Sequence, residues 1–80
     1  MSQNYKLVAE MGPTLVVLES REFPPKMWTE CTVRKYHRCV ACNGNIKKGR
    51  RAYRPITNGN NRMDRICIAC ITLIRNRNRR

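Results

Sequence analysis

The stretch DRICIACITLIRNRNRR, residues 64–80, determines how the rest of the chain is interpreted. Cys67 and Cys70 are separated by two residues, and together with Ile71 and Ile74 they fall at positions i, i+3, i+4 and i+7. Residues with this spacing share one face of a helix, so the pattern predicts an amphipathic helix with both cysteines in its first turn. A cysteine pair of this kind is a redox pair, half of a metal site, or two small apolar core residues.

A second pair, Cys39 and Cys42, lies in CVACNGNIKKG, with twenty-four residues between the two pairs. Four thiolates can surround Zn²⁺ tetrahedrally, and each short spacing lets one turn offer two sulfurs to the same ion. Asn43 and Gly44 both tolerate left-handed backbone geometry, which suits such a turn. The sequence therefore predicts one structural zinc ion. A thioredoxin-like redox unit does not fit into this length, and rubredoxin-type iron, the closer rival, places both pairs in turns.

A cysteine knuckle, a hairpin and a helix, in that order, resemble the treble-clef zinc finger over about residues 36–77. The basic run after the helix is similar to that of GATA-type fingers, in which such a tail follows the DNA backbone and minor groove. This chain has a longer spacer and lacks their tryptophan-bearing hairpin. The treble-clef nucleases need a catalytic histidine on the hairpin and further His or Asn residues in the helix, whereas the only histidine here is His37. The resemblance thus implies a zinc-stabilised binding domain.

The fold class predicted is a small α+β zinc-stabilised domain with an N-terminal pair of β-strands. Residues 5–10 and 14–19 are expected to form these strands, joined by a turn at MGP. Residues 1–35 would pack as a strand segment on the finger of residues 36–80, giving one compact domain. The helix is expected over residues 67–75.

The connections between these elements are predicted from proline, glycine and β-branched residues. Pro24 and Pro25 favour an extended connector or docking surface, and TECTVRKYH, residues 29–37, is expected to be a strand that leads into the first cysteine pair. Asn58-Gly59, within TNGNN, is typical of a hairpin turn. Pro55 restricts its strand to a sheet edge.

The charge is distributed unevenly along the chain. Through Cys31 there are three basic and four acidic residues, a net charge of −1, whereas from Thr32 onward there are fourteen basic residues and one acid, a net charge of +13. Such a skew favours a polyanionic partner, because concentrated positive charge is repulsive unless an anion relieves it. The candidate nucleic-acid-binding residues are Arg34, Lys35, Arg38, Lys47, Lys48, Arg50, Arg51, Arg54, Arg75, Arg77, Arg79 and Arg80.

The function predicted is therefore non-enzymatic, regulatory binding of nucleic acid, DNA before RNA. One histidine and five acids leave no convergent acid–base set for catalysis. The alternative is a small regulator or inhibitor that docks on an acidic surface of a larger nucleic-acid-processing protein. The chain is expected to be a monomer or weak dimer. It is expected in the cytoplasm, associated with the nucleoid or nucleus if it binds DNA, and without membrane contact, because it has no long apolar run or secretion signal.

A few single residues have alternative interpretations. Phe23, Pro24, Pro25 and Trp28 form a possible protein-binding patch, although the two aromatic residues are more typical of a small core. Cys31 is interpreted as a half-buried strand residue, with a reactive thiol or dimer bridge as the alternative. His37 is expected at the surface or against a phosphate, because four cysteines already complete a zinc shell.

Overall fold

The computed structural model describes residues 5–21, 23–56 and 63–77, with residue 23 described by its backbone only. Within these ranges the chain has a small α+β fold of seven strands and one helix. The elements are β1 (Lys6–Gly12), β2 (Leu15–Ser20), β3 (Phe23–Thr32), β4 (His37–Arg38), β5 (Asn45–Ile46), β6 (Arg51–Pro55), β7 (Ile66–Cys67) and α1 (Ile68–Arg77). Over the same ranges no helix is both long and apolar enough to cross a membrane.

Five of the strands form one antiparallel sheet in the order β1-β2-β3-β6-β7, and β4 and β5 form a separate two-stranded sheet. β3 pairs with β6 from Trp28 opposite Pro55 to Thr32 opposite Arg51. This pairing joins the N-terminal strands directly to the strands that precede the helix. The two segments expected from the sequence therefore share one sheet.

The predicted pair of N-terminal strands is confirmed, and the two strands are antiparallel. The turn between them lies at Pro13 and Thr14 rather than over residues 11–13, because β1 continues to Gly12. In β2, Val16 and Leu18 are buried while Val17 between them is half-buried. Successive side chains of a strand point to opposite faces, so one face of this strand is fully covered and the other only partly.

The segment interpreted as a proline-rich connector is instead the first part of β3, the central strand of the sheet. Pro24 and Pro25 fall where the register between β2 and β3 shifts, between the pairs Ser20–Phe23 and Leu18–Lys26. Because proline lacks an N–H, this irregular stretch accommodates it without breaking a regular ladder. β3 also ends at Thr32, so the predicted strand over residues 29–37 does not reach the cysteines as one element.

The prediction that Pro55 confines its strand to an edge is wrong, because β6 lies between β3 and β7. β7 pairs only with Ala52 and Tyr53, so no β7 residue is paired with Pro55. The missing N–H is therefore tolerated in an inner strand. The TNGNN turn predicted between these two strands lies outside the described residues.

The helix covers one face of the sheet through Ile71 and Ile74, which are buried in one cluster with Val16, Leu18 and Trp28. The helix begins one residue later and ends two residues later than predicted. Cys67 ends β7, so of the second cysteine pair only Cys70 lies in the first helical turn. The predicted shared face holds, with Cys70, Ile71 and Ile74 buried and Cys67 half-buried.

Candidate metal centre and basic groove

The four cysteines of the two pairs converge on one point. Their Sγ atoms all lie within 4.8 Å of one another. The distances are 3.7 Å between Cys39 and Cys70 and 3.8 Å between Cys42 and Cys67. Sulfurs about 2.3 Å from a tetrahedral zinc ion are about 3.8 Å apart, so the spacing suits one such ion. The cluster is positioned to coordinate a single metal ion.

The first pair is held by a knuckle between β4 and β5. The amide of Cys39 donates to the carbonyl of Gly44 at 2.8 Å, and the amide of Asn43 donates to the carbonyl of Cys39 at 2.8 Å. Asn43 has a φ of 66°, a left-handed conformation that asparagine adopts more readily than most residues. The resulting tight turn aims both sulfurs at the same point.

Backbone amides stabilise the sulfurs of this knuckle. Cys39 Sγ accepts from the amides of Ala41, Cys42 and Cys67 at 3.3–3.4 Å, and Cys42 Sγ accepts from the amide of Gly44 at 3.4 Å. N–H donors directed at sulfur favour the charged thiolate, which is the form that binds a metal. The two cysteine pairs are linked directly, because one of these donors comes from β7.

Two further backbone contacts hold the second pair against the knuckle. The amide of Val40 donates to the carbonyl of Arg65 at 2.9 Å, and Cys39 forms a parallel bridge with Arg65. These contacts place the junction of β7 and α1 beside the turn. Cys39 and Cys70 are consequently buried, Cys67 is half-buried, and Cys42 lies at the surface.

The thiols of the cluster differ in their acidity. Burial alone would raise the pKa of Cys39, but the amides of Cys67, Cys42 and Ala41 outweigh it and leave that pKa below its ordinary value. Burial raises the pKa of Cys70, and the neighbouring cysteine side chains raise it further. Four adjacent thiolates repel one another, and a bound divalent cation offsets that repulsion. The four cysteines are therefore more favourable as ligands of a bound metal ion than as four thiolates without one.

Replacement of Gly44 by alanine is expected to weaken metal binding. A Cβ at this position would lie 3.2 Å from Cys42 Sγ, so the sulfur or the turn must shift. Disturbing the groups that orient metal ligands typically costs about 10–100-fold in affinity, and we expect the lower end here. Competition with a chromogenic chelator measures the change. Gly12→Ala is the matched control, because a Cβ there meets nothing within 4 Å; equal affinities for both variants would contradict the expectation.

Some of the predicted nucleic-acid-binding residues are brought together and others are separated. Arg34, Lys35 and Arg54 line one groove with a volume of about 600 Å³. Arg51 lies three residues before Arg54 on β6 and binds the Glu30 carboxylate at 2.9 Å. Exposed candidates whose side chains are not part of this groove are Arg38, Lys47, Lys48, Arg50 and Arg77. Arg79 and Arg80 lie outside the described residues.

Sequence interpretation missed four residues that line this groove: Thr32, Val33, Met63 and Arg65. Arg65, like Arg62, falls between the basic runs of residues 47–54 and 75–80. Its position two residues before Cys67 was a usable signal, because it places Arg65 close to the metal centre. His37 also lines the groove. Burial lowers its pKa, and the positive charges of Arg65 and Lys35 lower it further.

Arg75 was predicted to contact nucleic acid, but the structure places it within the fold. Its Nη2 donates to the carbonyl of Pro13 at 3.0 Å and to the hydroxyl of Tyr53 at 3.4 Å. Its Nε lies 3.4 Å from the Glu10 carboxylate, an ion pair whose geometry does not make a hydrogen bond. The side chain is 21% exposed. Arg75 therefore ties the helix to the turn between β1 and β2.

We expect Arg75→Ala to lower the free energy of unfolding by about 1–3 kcal/mol. The substitution removes a half-buried charged donor, and it leaves the Pro13 carbonyl without that donor and the Glu10 carboxylate without its ion pair. Urea unfolding at fixed metal concentration measures this change. Arg77→Ala is the matched control on the same helix, and its exposed side chain predicts a change within about 0.5 kcal/mol. If both variants lose the same free energy of unfolding, the contacts of Arg75 add no stability beyond that of an exposed arginine on this helix.

The structure also places the residues of the possible protein-binding patch and Cys31. Pro24 and Pro25 are exposed, whereas Trp28 is completely buried and cannot be part of a surface patch. Nothing is described of the Phe23 side chain. Cys31 is half-buried on β3, where the sequence placed it, and its side chain lines the basic groove.

No known protein family, curated protein or solved structure matches the chain. The function of the site is therefore argued from its own chemistry.

Proposed function

We propose that the chain is a non-enzymatic, zinc-stabilised domain of the treble-clef type that binds nucleic acid and acts as a regulator. The observation that carries the proposal is the convergence of four sulfurs within 4.8 Å of one another, in a chain whose C-terminal part has a net charge of +13. The metal fixes the fold, and the cations around it contact phosphates. The order of knuckle, paired strands β6 and β7, and helix supports the treble-clef assignment.

Zinc is proposed over iron on the chemistry and placement of the ligands. A tetrahedral set of four sulfurs suits either metal. Rubredoxin-type iron sites hold both cysteine pairs in turns, whereas here Cys67 ends a strand and Cys70 lies in a helix. When bound, zinc supplies no redox chemistry and closes a structural site with four protein ligands. Cys39, Cys42, Cys67 and Cys70 would hold it.

The nucleic-acid function follows from electrostatics. An arginine guanidinium can bind phosphate through two parallel hydrogen bonds, and arginine outnumbers lysine in this part of the chain. The described acids Glu10 and Glu30 are occupied by arginines within the fold. These two carboxylates are therefore already paired, and from residue 32 onward the chain carries fourteen basic residues and one acid. Binding through phosphates gives affinity with little sequence preference.

The proposal predicts a steep dependence of binding on salt concentration. For single strands, log Kobs falls by about 0.7 for each phosphate contact per unit of log salt. Replacing Arg77, Arg79 and Arg80 together with glutamine should reduce that slope by up to about 2. Fluorescence anisotropy with a labelled oligonucleotide at several salt concentrations measures it. Absence of binding to every single strand and duplex, or binding that is indifferent to salt, would overturn the proposed function.

A second candidate function, protein docking, is favoured by one surface feature. Met27 and Ile56 are exposed, and the amide of Ile56 donates to the carbonyl of Met27 at 2.8 Å, so the two residues are neighbours. Pro24 and Pro25, which precede Met27 on the same strand, are exposed as well. Such a surface could receive a larger protein whose acidic regions meet the cations. A discrete partner that survives nuclease treatment and is lost from the Met27→Ser/Ile56→Ser variant would favour docking over nucleic-acid binding.

A further inference from the structure

We propose that the basic groove is the binding site for one nucleotide unit of a single-stranded nucleic acid, with the phosphate held by its arginines and lysine. The inference rests on the proposed nucleic-acid function and deepens it by naming the site and the form of the ligand. The groove is lined by four cationic side chains, those of Arg34, Lys35, Arg54 and Arg65, and by His37.

Strand register places the groove on the sheet face opposite the helix. Cys31 is paired with Ala52 and Thr29 with Arg54, and residues paired across a ladder project from the same face. Cys31 and Arg54 therefore share one face, while Tyr53, which contacts Arg75 of the helix, belongs to the other. The helix leaves the Arg54 face open to a ligand.

The lining of the groove carries positive charge, and none of the described residues that line it is acidic. Next to the lining, the Asp64 carboxylate acts on the charge of Arg65. The nearest acid along β3, Glu30, projects from the opposite face, where Arg51 binds it. Because adjacent cations in one concave site repel one another, an anion that enters it gains from all of them. The anionic group of a nucleic acid is its phosphate, whose oxygens match the paired N–H donors of arginine.

The groove also has an apolar component that a free phosphate would not use. Val33 is buried, Met63 is 49% exposed, and both side chains line the groove with Cys31. Its volume of about 600 Å³ lies within the range of roughly 300–1,000 Å³ typical of small-molecule sites, enough for a base as well as a phosphate. An unpaired base can pack against such a wall or against the His37 ring.

A duplex fits this surface less well than a single strand. Proteins that read duplex DNA commonly insert a helix into the major groove. The exposed residues of the described helix are Ile68, Ala69, Thr72, Leu73, Asn76 and Arg77, of which only Arg77 is charged. The cations lie instead in a concavity, and a concave site takes a flexible strand with splayed bases rather than a rigid duplex.

The chain offers a matched pair of variants to test this inference. Arg51 and Arg54 are the same residue type on the same strand, both exposed, but they project from opposite faces. Arg54→Ala is expected to weaken binding of a single-stranded oligonucleotide about tenfold, as loss of a charged hydrogen bond predicts, and to reduce the salt slope by about 0.7. Arg51→Ala should leave both values close to those of the wild type. Metal content and melting temperature are measured for each variant, so that a folding defect is recognised.

Cys31 supplies a second readout that does not depend on charge. A saturating single strand should slow alkylation of Cys31 in the metal-loaded chain, because its side chain lines the groove. Cys31→Ser gives the background from the metal-bound cysteines. The same measurement in Arg54→Ala should show weaker protection at equal oligonucleotide concentration. DNA and RNA strands of the same sequence, tested in parallel, show which sugar the site prefers.

The outcomes separate the inference from the function on which it rests. Equal losses in Arg51→Ala and Arg54→Ala, with Cys31 unprotected, would overturn the groove but leave nucleic-acid binding in place. Tighter binding of a duplex than of its component strands would overturn the single-strand assignment. If the wild type binds neither strands nor duplex, the proposed function itself fails. Selective loss in Arg54→Ala together with protection of Cys31 supports the inference.

Discussion

Cys70→Ser is expected to abolish metal binding and the native fold together. Cys70 is buried between the helix and the knuckle, 3.7 Å from Cys39 Sγ. A structural zinc ion contributes roughly 10–16 kcal/mol to the folding of zinc-finger peptides. A chain of 80 residues has a stability of roughly 4–12 kcal/mol at typical values per residue. Because the contribution of the metal is comparable to or larger than the total stability, loss of the metal should leave the chain largely unfolded.

Metal analysis and far-ultraviolet circular dichroism of the same preparation measure both effects. The expected result is a metal content near zero and loss of cooperative thermal unfolding. Cys31→Ser is the control, because Cys31 is the described cysteine that does not belong to the cluster. It should retain the metal and the melting temperature of the wild type. A folded, metal-containing Cys70→Ser protein would contradict the assignment of Cys70 as a ligand.

Trp28→Ala is expected to cost about 3–5 kcal/mol in the free energy of unfolding. Trp28 is completely buried in the central strand, opposite Val16 on one side and Pro55 on the other. The Tyr5 ring packs against it edge-on at 6.1 Å between centroids. The indole Nε1 has no hydrogen-bond partner among the described residues. The loss therefore measures packing alone, without a hydrogen-bond contribution.

Met27→Ala is the control for this prediction, because Met27 is the adjacent residue of β3 and is 42% exposed. Its replacement should change stability by less than about 1 kcal/mol. Urea unfolding of both variants at one fixed free-metal concentration is required, because bound metal adds to apparent stability. If Trp28→Ala unfolds with the midpoint of Met27→Ala, Trp28 does not stabilise a core between the N-terminal strands and β6.

The metal centre could be predicted from the sequence because its signal is local. Each cysteine pair with two intervening residues specifies one turn, and the match between the two pairs specifies their meeting. The helix was predicted for the same reason, since Cys70, Ile71 and Ile74 show their shared face in the spacing alone. The boundary at Cys67 was missed because a strand and a helix adjoin there, and spacing does not show where one ends.

The position of β3 could not be predicted from local propensity. Pro24 and Pro25 disfavour a regular ladder, yet the strand that they begin carries Trp28 into the centre of the core. Burial of that large side chain against Val16 and Pro55 outweighs the weak local preference. The position of Pro55 likewise depends on tertiary structure. A proline is tolerated in the inner strand β6 because β7 does not extend far enough to pair with it.

The basic residues show the limit of reading charge along a chain. Arg51 and Arg54 belong to one run of cations in the sequence, but strand alternation places them on opposite faces of the sheet. Arg51 binds Glu30, whereas Arg54 lines the groove. Arg75 was grouped with the C-terminal tail, whereas its partners come from the far N-terminal turn. These assignments depend on pairing between distant strands, which the sequence alone does not specify.

The most direct test of the metal-stabilised fold is the metal content of the purified wild-type chain, measured by native mass spectrometry and by elemental analysis of the same sample. The four converging sulfurs predict one zinc ion per chain, removed by a strong chelator with simultaneous loss of the circular dichroism signal of the fold. A chain that is folded without metal, or whose fold is unchanged after the metal is removed, would contradict the account.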